Sequence, residues 1–304
     1  MYRRLVLAIL LALSTAGMAG TGKLSPPKRD MRTNPPGKFL APGYYVPSVF
    51  DGETVSIACA DGYQLAGDFI KKHSPKRGGS PGVLFLHEVG KNRRSWYPLT
   101  MQIGGRECII LAVDLRGCGE NPSLNKSSDK TLAQMPETDV RKMLDDVRNA
   151  LSFLSLNPGT DPENIGIIGS GLGANLAIAA AAEPWGKGIK TVIAISPSLN
   201  DHGYQPLEAA GKTGNTFVCL AASRGDTTAF QAASALYAAV TGPKELFEGE
   251  GNASGVGLFG AKPAVYEKGG SQDRVLFAFI QQWTVQGLMQ KNAGVPPRRK
   301  PANK

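Results

Sequence analysis

Histidine and cysteine are scarce in this sequence of 304 residues, which contains three histidines and four cysteines. The histidines, at positions 73, 87 and 202, are far apart in sequence, and no two cysteines have the C-x-x-C spacing of redox and zinc motifs. No histidine follows His202, so the last third of the chain offers no imidazole base. We therefore expect neither a metal site nor a cofactor.

The first residues lack the length of a membrane span, which takes about 20 apolar residues. Arg3 and Arg4 precede an apolar run over residues 5–13, and mostly small residues follow up to Gly20. This order is typical of a signal peptide, with cleavage after Ala19. We predict a signal peptide over 1–20 and export to the periplasm or the extracellular space. A retained membrane anchor is the alternative.

The positive charge is concentrated at the two ends of the chain. Of the 34 basic residues, twelve lie in the terminal segments with Asp30 as the only acid, which leaves 22 basic and 24 acidic residues in between. A body that is close to neutral does not indicate a nucleic-acid groove. Residues 21–42 resemble a Pro/Lys-rich linker and residues 290–304 a basic, disordered tail. Both could simply be solvated, or could make weak envelope contacts with anionic lipid or cell-wall polymer.

Strand and helix patterns alternate through the intervening domain, residues 43–289. The strand patterns are at 53–60, 63–70, 82–86, 108–115, 165–168, 191–196, 217–222 and 245–247, and the helical ones at 94–104, 139–155, 172–182, 227–240 and 272–288. Asp61-Gly62 between the first two strands is a hairpin signal. The pattern predicts an α/β fold, with a mostly parallel, eight-stranded twisted sheet and helices on both faces. About twenty residues follow Ser196 before the next strand, which is too few for a large lid domain.

Four stretches in order resemble the α/β-hydrolase family, in particular its dienelactone-hydrolase-like branch. They are Leu84-Phe85-Leu86-His87-Glu88-Val89-Gly90 with Trp96, Asp114-Leu115-Arg116-Gly117-Cys118-Gly119, the segment 166–175, and Arg224-Gly225-Asp226. The resemblance implies that these stretches are the loop after the third strand, the D-x-R-G-x-G turn, the nucleophile elbow and the position of the triad acid. It also implies an oxyanion hole made by the backbone N–H groups of Leu172 and of Glu88 or Val89.

The elbow departs from the family motif G-x-S-x-G. Aligning the outer glycines on Gly169 and Gly173 places Gly171 at the nucleophile position, with Ser170 one residue early. The catalytic histidine position aligns with Ser254, and of the expected triad only Asp226 remains. Asp226 could equally serve as the N-cap of the following helix. Glycine at the elbow suits its strained backbone, because it has no Cβ to clash.

The remaining cleft candidates are His87, His202 and Cys118. In the family, His87 occupies a position that shapes the oxyanion loop, whereas His202 follows a strand end and could reach the rim of the cleft. Cys118 lies in a turn that supports the neighbouring loop, and a thiol there could also act as a nucleophile. The other cysteines lie in or beside apolar strands, so one disulfide and four separate thiols both remain open.

Three functional hypotheses follow from the sequence. The first is a pseudo-hydrolase that keeps a cleft for a small ester-like or anionic ligand, since the backbone amides and the helix N-terminus favour an anion. The second is an active esterase or lactone hydrolase with a rearranged site, using Ser170 with His87 or His202. The third is an envelope-interaction protein that acts through its basic tails. The missing serine–histidine pair favours the first.

Overall fold

The computed structural model describes residues 39–41, 44–45, 52–71, 78–103, 108–119, 132–260 and 288. All of them belong to the second of the chain's two units, residues 36–304. The expected signal peptide, almost all of the linker, the basic tail, and the helix expected over 272–288 except Leu288 lie outside the described residues. Within the described residues, no helix is long and apolar enough to span a membrane.

An eight-stranded sheet forms the centre of the domain, as the strand patterns predicted. A separate pair, β1 (Phe39–Ala41) and β2 (Tyr44–Tyr45), precedes it. The strands of the sheet are β3 (Glu53–Ala58), β4 (Gln64–Ile70), β5 (Ser80–Leu86), β6 (Ile109–Val113), β7 (Thr160–Ser170), β8 (Ile189–Ile195), β9 (Phe217–Ser223) and β10 (Lys244–Gly249). Their order across the sheet is β10-β9-β8-β7-β5-β6-β4-β3. All pairs are parallel except β3–β4 and β4–β6.

Local chemistry accounts for the hairpin at the antiparallel edge of this sheet. Gly62 has a φ of 84°, which favours glycine, and its N–H donates to the Cys59 carbonyl at 2.9 Å. The Cys59 N–H in turn donates to the Tyr63 carbonyl at 2.8 Å, which closes the turn between β3 and β4.

Helices cover both faces of the sheet. The α-helices are α1 (Tyr97–Ile103), α2 (Glu137–Val140), α3 (Met143–Leu156), α4 (Leu172–Ala182), α5 (Pro206–Ala210) and α6 (Thr227–Ala239). Short 3₁₀ helices span Arg93–Trp96, Leu132–Gln134, Pro184–Gly188 and Gly255–Gly260. Side chains alternate along β5, so Leu84 and Leu86 pack on the face covered by α3 and α4, whereas Val83 and Phe85 pack with Trp96 and Leu288 on the other face.

The helix expected over 139–155 is interrupted after its first turn. The Leu144 N–H donates to the Tyr204 hydroxyl at 3.2 Å instead of to the Val140 carbonyl, and that hydroxyl donates to the Val140 carbonyl at 2.9 Å. A side chain inserted into the i to i−4 ladder breaks a helix at that point. The segment therefore forms α2 and α3 rather than one helix.

The segment between β8 and β9 is short, as expected for a domain without a large lid. It contains α5 and an isolated bridge between Asp201 and Tyr204. All four cysteines lie within the described residues, and each is a free thiol, so no disulfide joins them.

Candidate active site

The turn from β7 into α4 has the tight geometry of a nucleophile elbow. A Cβ atom placed on Gly169 would lie 2.1 Å from the Gly173 carbonyl oxygen, and one on Gly173 would lie 2.2 Å from the Leu86 carbonyl oxygen. Strand and helix are therefore so close that only glycine fits at both positions. Gly171 stands between them with φ 55° and ψ −120°, and its N–H donates to the Ile195 carbonyl at 3.0 Å.

Glu88 lies directly over this turn. A Cβ atom on Gly171 would be 2.9 Å from the Glu88 Cβ and 4.0 Å from its Oε2 atom. Glu88 thus takes up much of the space that a side chain at position 171 would need. The family resemblance implies only a backbone role for Glu88, as a possible N–H donor of the oxyanion hole. The position of its side chain over the elbow could not be predicted from the sequence.

Ser170 is the last residue of β7, and it is completely buried. Its hydroxyl donates to Glu88 Oε2 at 3.0 Å. The side chain of Ser170 therefore helps to hold the Glu88 carboxylate in place through this hydrogen bond.

His87 fixes the start of the loop that carries Glu88 and Val89. It is completely buried, its Nε2 accepts the Leu115 N–H at 2.9 Å, and its Nδ1 lies 2.8 Å from the Glu88 carbonyl oxygen. Because Nε2 must accept, Nδ1 carries the proton and donates to that carbonyl. Burial lowers the pKa of His87, which favours this neutral form. Both ring nitrogens are thus occupied by backbone groups.

The loop after β10 faces Glu88 from the opposite side. Ser254 is exposed, and the next residue, Gly255, is buried with a φ of 54°. A Cβ atom on Gly255 would lie only 1.8 Å from Glu88 Oε2, so the carboxylate occupies the space beside it. The Gly255 N–H donates to the Ser196 hydroxyl at 2.8 Å, and Ser196 itself has a φ of 47°. Nothing in the sequence indicated this role of Ser196.

Asp226 begins α6 at the end of the loop after β9. Its Oδ1 accepts the Ala229 N–H at 3.2 Å, which is a standard N-cap interaction. The Gly225 N–H beside it donates to the Gly251 carbonyl at 2.8 Å and joins this loop to the one that carries Ser254. The structure therefore shows the capping arrangement that the sequence left as one of two options.

The D-x-R-G-x-G turn is held by two buried arginines. Arg93 bridges Asp114 and Asp68, with 2.9 Å between its Nε and Asp68 Oδ1, and its side chain is 1% exposed. Arg116 contacts Asp146 at 2.6 Å and Asp61 at 2.9 Å. These ion pairs attach the turn to the sheet on one side and to α3 on the other.

Cys118 lies half-buried within this turn. Burial, with the nearby charge of Asp114, raises the pKa of its thiol to about 11. Since the thiolate is the nucleophilic form, this environment favours a supporting role over a catalytic one.

His202 lies away from the elbow, in an exposed turn where it pairs with Asp201. It lines a cavity of about 250 Å³ beside α4 together with Asn175, Tyr204 and Arg141. Neither Ser170 nor Glu88 lines this cavity. Among the described residues, no group of three His, Cys, Asp or Glu side chains is placed to hold a metal ion.

The structure thus brings together Gly171, Ser170, Glu88 and the loop that carries Ser254. This arrangement places one half-buried acceptor, the Glu88 carboxylate, over an elbow that has no nucleophile at position 171. Comparison with known proteins identifies the class of the domain. The model of the alpha/beta hydrolase family matches residues 83–298, which is most of the chain. The chain therefore belongs to the alpha/beta hydrolase family.

Individual relatives are distant. The uncharacterized protein YfhR of Salmonella typhimurium (strain LT2) is 27% identical over 141 residues, which cover 45% of this chain and 42% of that protein. The match thus spans less than half of the relative's length. The YfhR protein of Salmonella typhi is 26% identical over the same extent.

Solved structures of similar fold include esterases. Acetyl xylan esterase 1 from Thermoanaerobacterium sp. JW/SL YS485 has a TM-score of 0.54 and 16% identity, over 67% of this chain and 78% of that one. The acetyl xylan esterase from Paenibacillus sp. R4 has a TM-score of 0.53 and 19% identity, over 64% and 76%. At such identities the likeness shows the fold alone.

Proposed function

We propose that this chain is a non-hydrolytic member of its family, which binds a small ligand over the elbow and does not cleave it. The observation that carries the proposal is Glu88, whose carboxylate stands over Gly171 where an active enzyme needs a nucleophile and an acyl group. An alkyl hydroxyl becomes nucleophilic at neutral pH only beside a base, and position 171 has no hydroxyl at all.

Electrostatics supports the same conclusion. Hydrolysis through a tetrahedral intermediate places negative charge next to the oxyanion donors. The Glu88 Oε2 atom lies 4.0 Å from the point where a Cβ of residue 171 would be, so it shares this space. Two negative charges that close together repel each other and raise the barrier.

The alternative hydrolase built on Ser170 has weaker support. The Ser170 hydroxyl touches a carboxylate at 3.0 Å, and a carboxylate can act as a base. However, Ser170 has no exposed surface, so a substrate carbonyl cannot reach it without rearrangement of the loop above. His87 has both ring nitrogens engaged with backbone groups, and His202 lines a cavity that does not include Ser170, so neither is placed as its base.

The location of the protein, its branch within the family and the class of its ligand are also parts of the proposal. Export through the signal peptide, membership of the dienelactone-hydrolase-like branch, and a small ester-like or anionic ligand all rest on the sequence. The third hypothesis, envelope contact through the basic tails, rests on segments outside the described residues. Deletion of both tails should release the protein from an envelope fraction if that hypothesis is right, whereas binding in the cleft should persist.

Covalent labelling tests the proposal. The full mature chain is incubated with a fluorophosphonate, and its intact mass is measured beside that of an active serine esterase. We expect no mass increase, because position 171 has no hydroxyl and Ser170 is covered. An adduct of one equivalent that disappears in Ser170→Ala would overturn the proposal.

A further inference from the structure

The Glu88 carboxylate is a charged group whose role in a non-hydrolytic cleft is unexplained. We propose that it binds the positively charged amino group of a small ligand, in particular a primary ammonium on a short apolar chain. This inference rests on the part of the proposed function that says the cleft binds a small ligand without cleaving it. It replaces the ester-like or anionic ligand expected from the sequence with a cationic one.

The hydrogen-bonding capacity of Glu88 is the first argument. An ionised carboxylate only accepts, and its two oxygens offer about four acceptor positions. The Ser170 hydroxyl occupies one of them at 3.0 Å, and Glu88 as a whole is only half-buried, so the residue can be reached from solvent. A partner for the remaining positions has to be a donor, and a cationic donor makes the stronger, charge-assisted bond.

The second argument is the shape of the surroundings. Gly171 and Gly255 flank the carboxylate, and neither carries a side chain that would cover it. Both have positive φ values, 55° and 54°, at which other residues would be strained. A Cβ atom on either glycine would meet Glu88 itself, so these positions make room for its side chain over the elbow and add no side chain that covers the carboxylate. A compact head group with three donors, such as an ammonium, suits an acceptor held in this way.

The residues beside the carboxylate supply the third argument. Val89 follows Glu88 in the chain and is 41% exposed, one of few large apolar side chains with such exposure among the described residues. It offers a short alkyl chain an apolar contact next to the charge. Arg224, on the loop that carries Asp226, already pairs with Glu248 at 2.6 Å, so its charge is compensated there.

This inference is opposite in sign to the ligand expected from the backbone amides alone. The amides of the elbow and the N-terminus of α4 favour an anion, but the Glu88 carboxylate already holds negative charge beside them. A second anion would have to displace it. Three ligands of similar size, one cationic, one neutral and one anionic, therefore distinguish a site that prefers a cation from one that prefers an anion.

Nuclear magnetic resonance titrations at low ionic strength provide the test. The full mature chain is titrated with n-butylammonium, 1-butanol and butyrate, and the same is done for Glu88→Gln and Glu163→Gln. Glu163 is an exposed carboxylate in the first half of β7, far along the strand from the elbow, so its substitution removes the same charge elsewhere. Thermal melts confirm that both variants fold.

We expect the unsubstituted protein to bind n-butylammonium about tenfold more tightly than 1-butanol, and butyrate more weakly still. The preference for the cation should fall to about twofold or less in Glu88→Gln and remain in Glu163→Gln. Butyrate binding as tightly as n-butylammonium, a preference that survives in Glu88→Gln, or the absence of binding by any of the three would each overturn the inference. None of these outcomes depends on ester cleavage, so failure here is distinguishable from failure of the proposed function.

Discussion

The purified protein is expected to hydrolyse p-nitrophenyl acetate no faster than its Ser170→Ala variant. Triad residues act as a unit and together supply roughly 10⁶-fold in rate, most of which is lost when one of them is missing. Here position 171 has no hydroxyl, no histidine follows His202, and the Glu88 carboxylate lies in the space of the acyl group. Steady-state rates of the two proteins, corrected for spontaneous hydrolysis, provide the measurement.

A small residual rate is compatible with this expectation, because backbone donors alone can supply about 10³–10⁴-fold over water. Leu172→Pro removes one such N–H at the first position of α4, where proline is tolerated by a helix. Any residual rate should therefore fall in Leu172→Pro and stay unchanged in Ser170→Ala. A rate that collapses in Ser170→Ala would show that Ser170 is the nucleophile.

The second large effect is a loss of stability when the buried ion pairs of Arg93 with Asp68 and Asp114 are removed. Arg93→Met is expected to lower the free energy of unfolding by about 3–5 kcal/mol, because it leaves two buried carboxylates without their cation. Asp68 and Asp114 are 2% and 0% exposed, so water cannot replace the guanidinium. Urea unfolding followed by circular dichroism gives the difference.

Arg141→Met is the matched control for this substitution. Arg141 pairs with Glu137 on the surface, where both side chains are about 70% exposed, and exposed pairs contribute at most about 1 kcal/mol. Equal losses in the two variants would mean that the buried position of Arg93 does not matter. That result would contradict the structural role given to the turn.

Much of the fold could be predicted because short stretches of the sequence are enough to identify the strands of the sheet and the turn of its hairpin. The continuous apolar runs of β5 to β9 are typical of strands covered on both faces, and Asp61-Gly62 marks the hairpin. Where a helix differs in detail from the expectation, a specific residue explains the difference. The segment expected as a helix over 94–104 starts as a 3₁₀ turn, since Pro98 lacks the N–H for an α-helical bond there. The break between α2 and α3 depends on Tyr204, which is distant in sequence.

The candidate site was only partly predictable, because some of its features come from a local motif and others from contacts between segments that are far apart in sequence. The spacing of Gly169, Gly171 and Gly173 located the elbow, because glycine is required by close packing that recurs with the motif. The direction of the Glu88 side chain depends on three segments that are far apart in sequence, and so does the contact between Ser196 and Gly255.

The most direct test of the central claim is a stopped-flow measurement of p-nitrophenolate released in the first turnover. A serine hydrolase that forms an acyl-enzyme gives a burst of about one equivalent per chain before the steady state. We expect no burst from this protein, only a linear release at the background rate. A burst that approaches one equivalent and is absent in Ser170→Ala would contradict the claim that the cleft binds without cleaving.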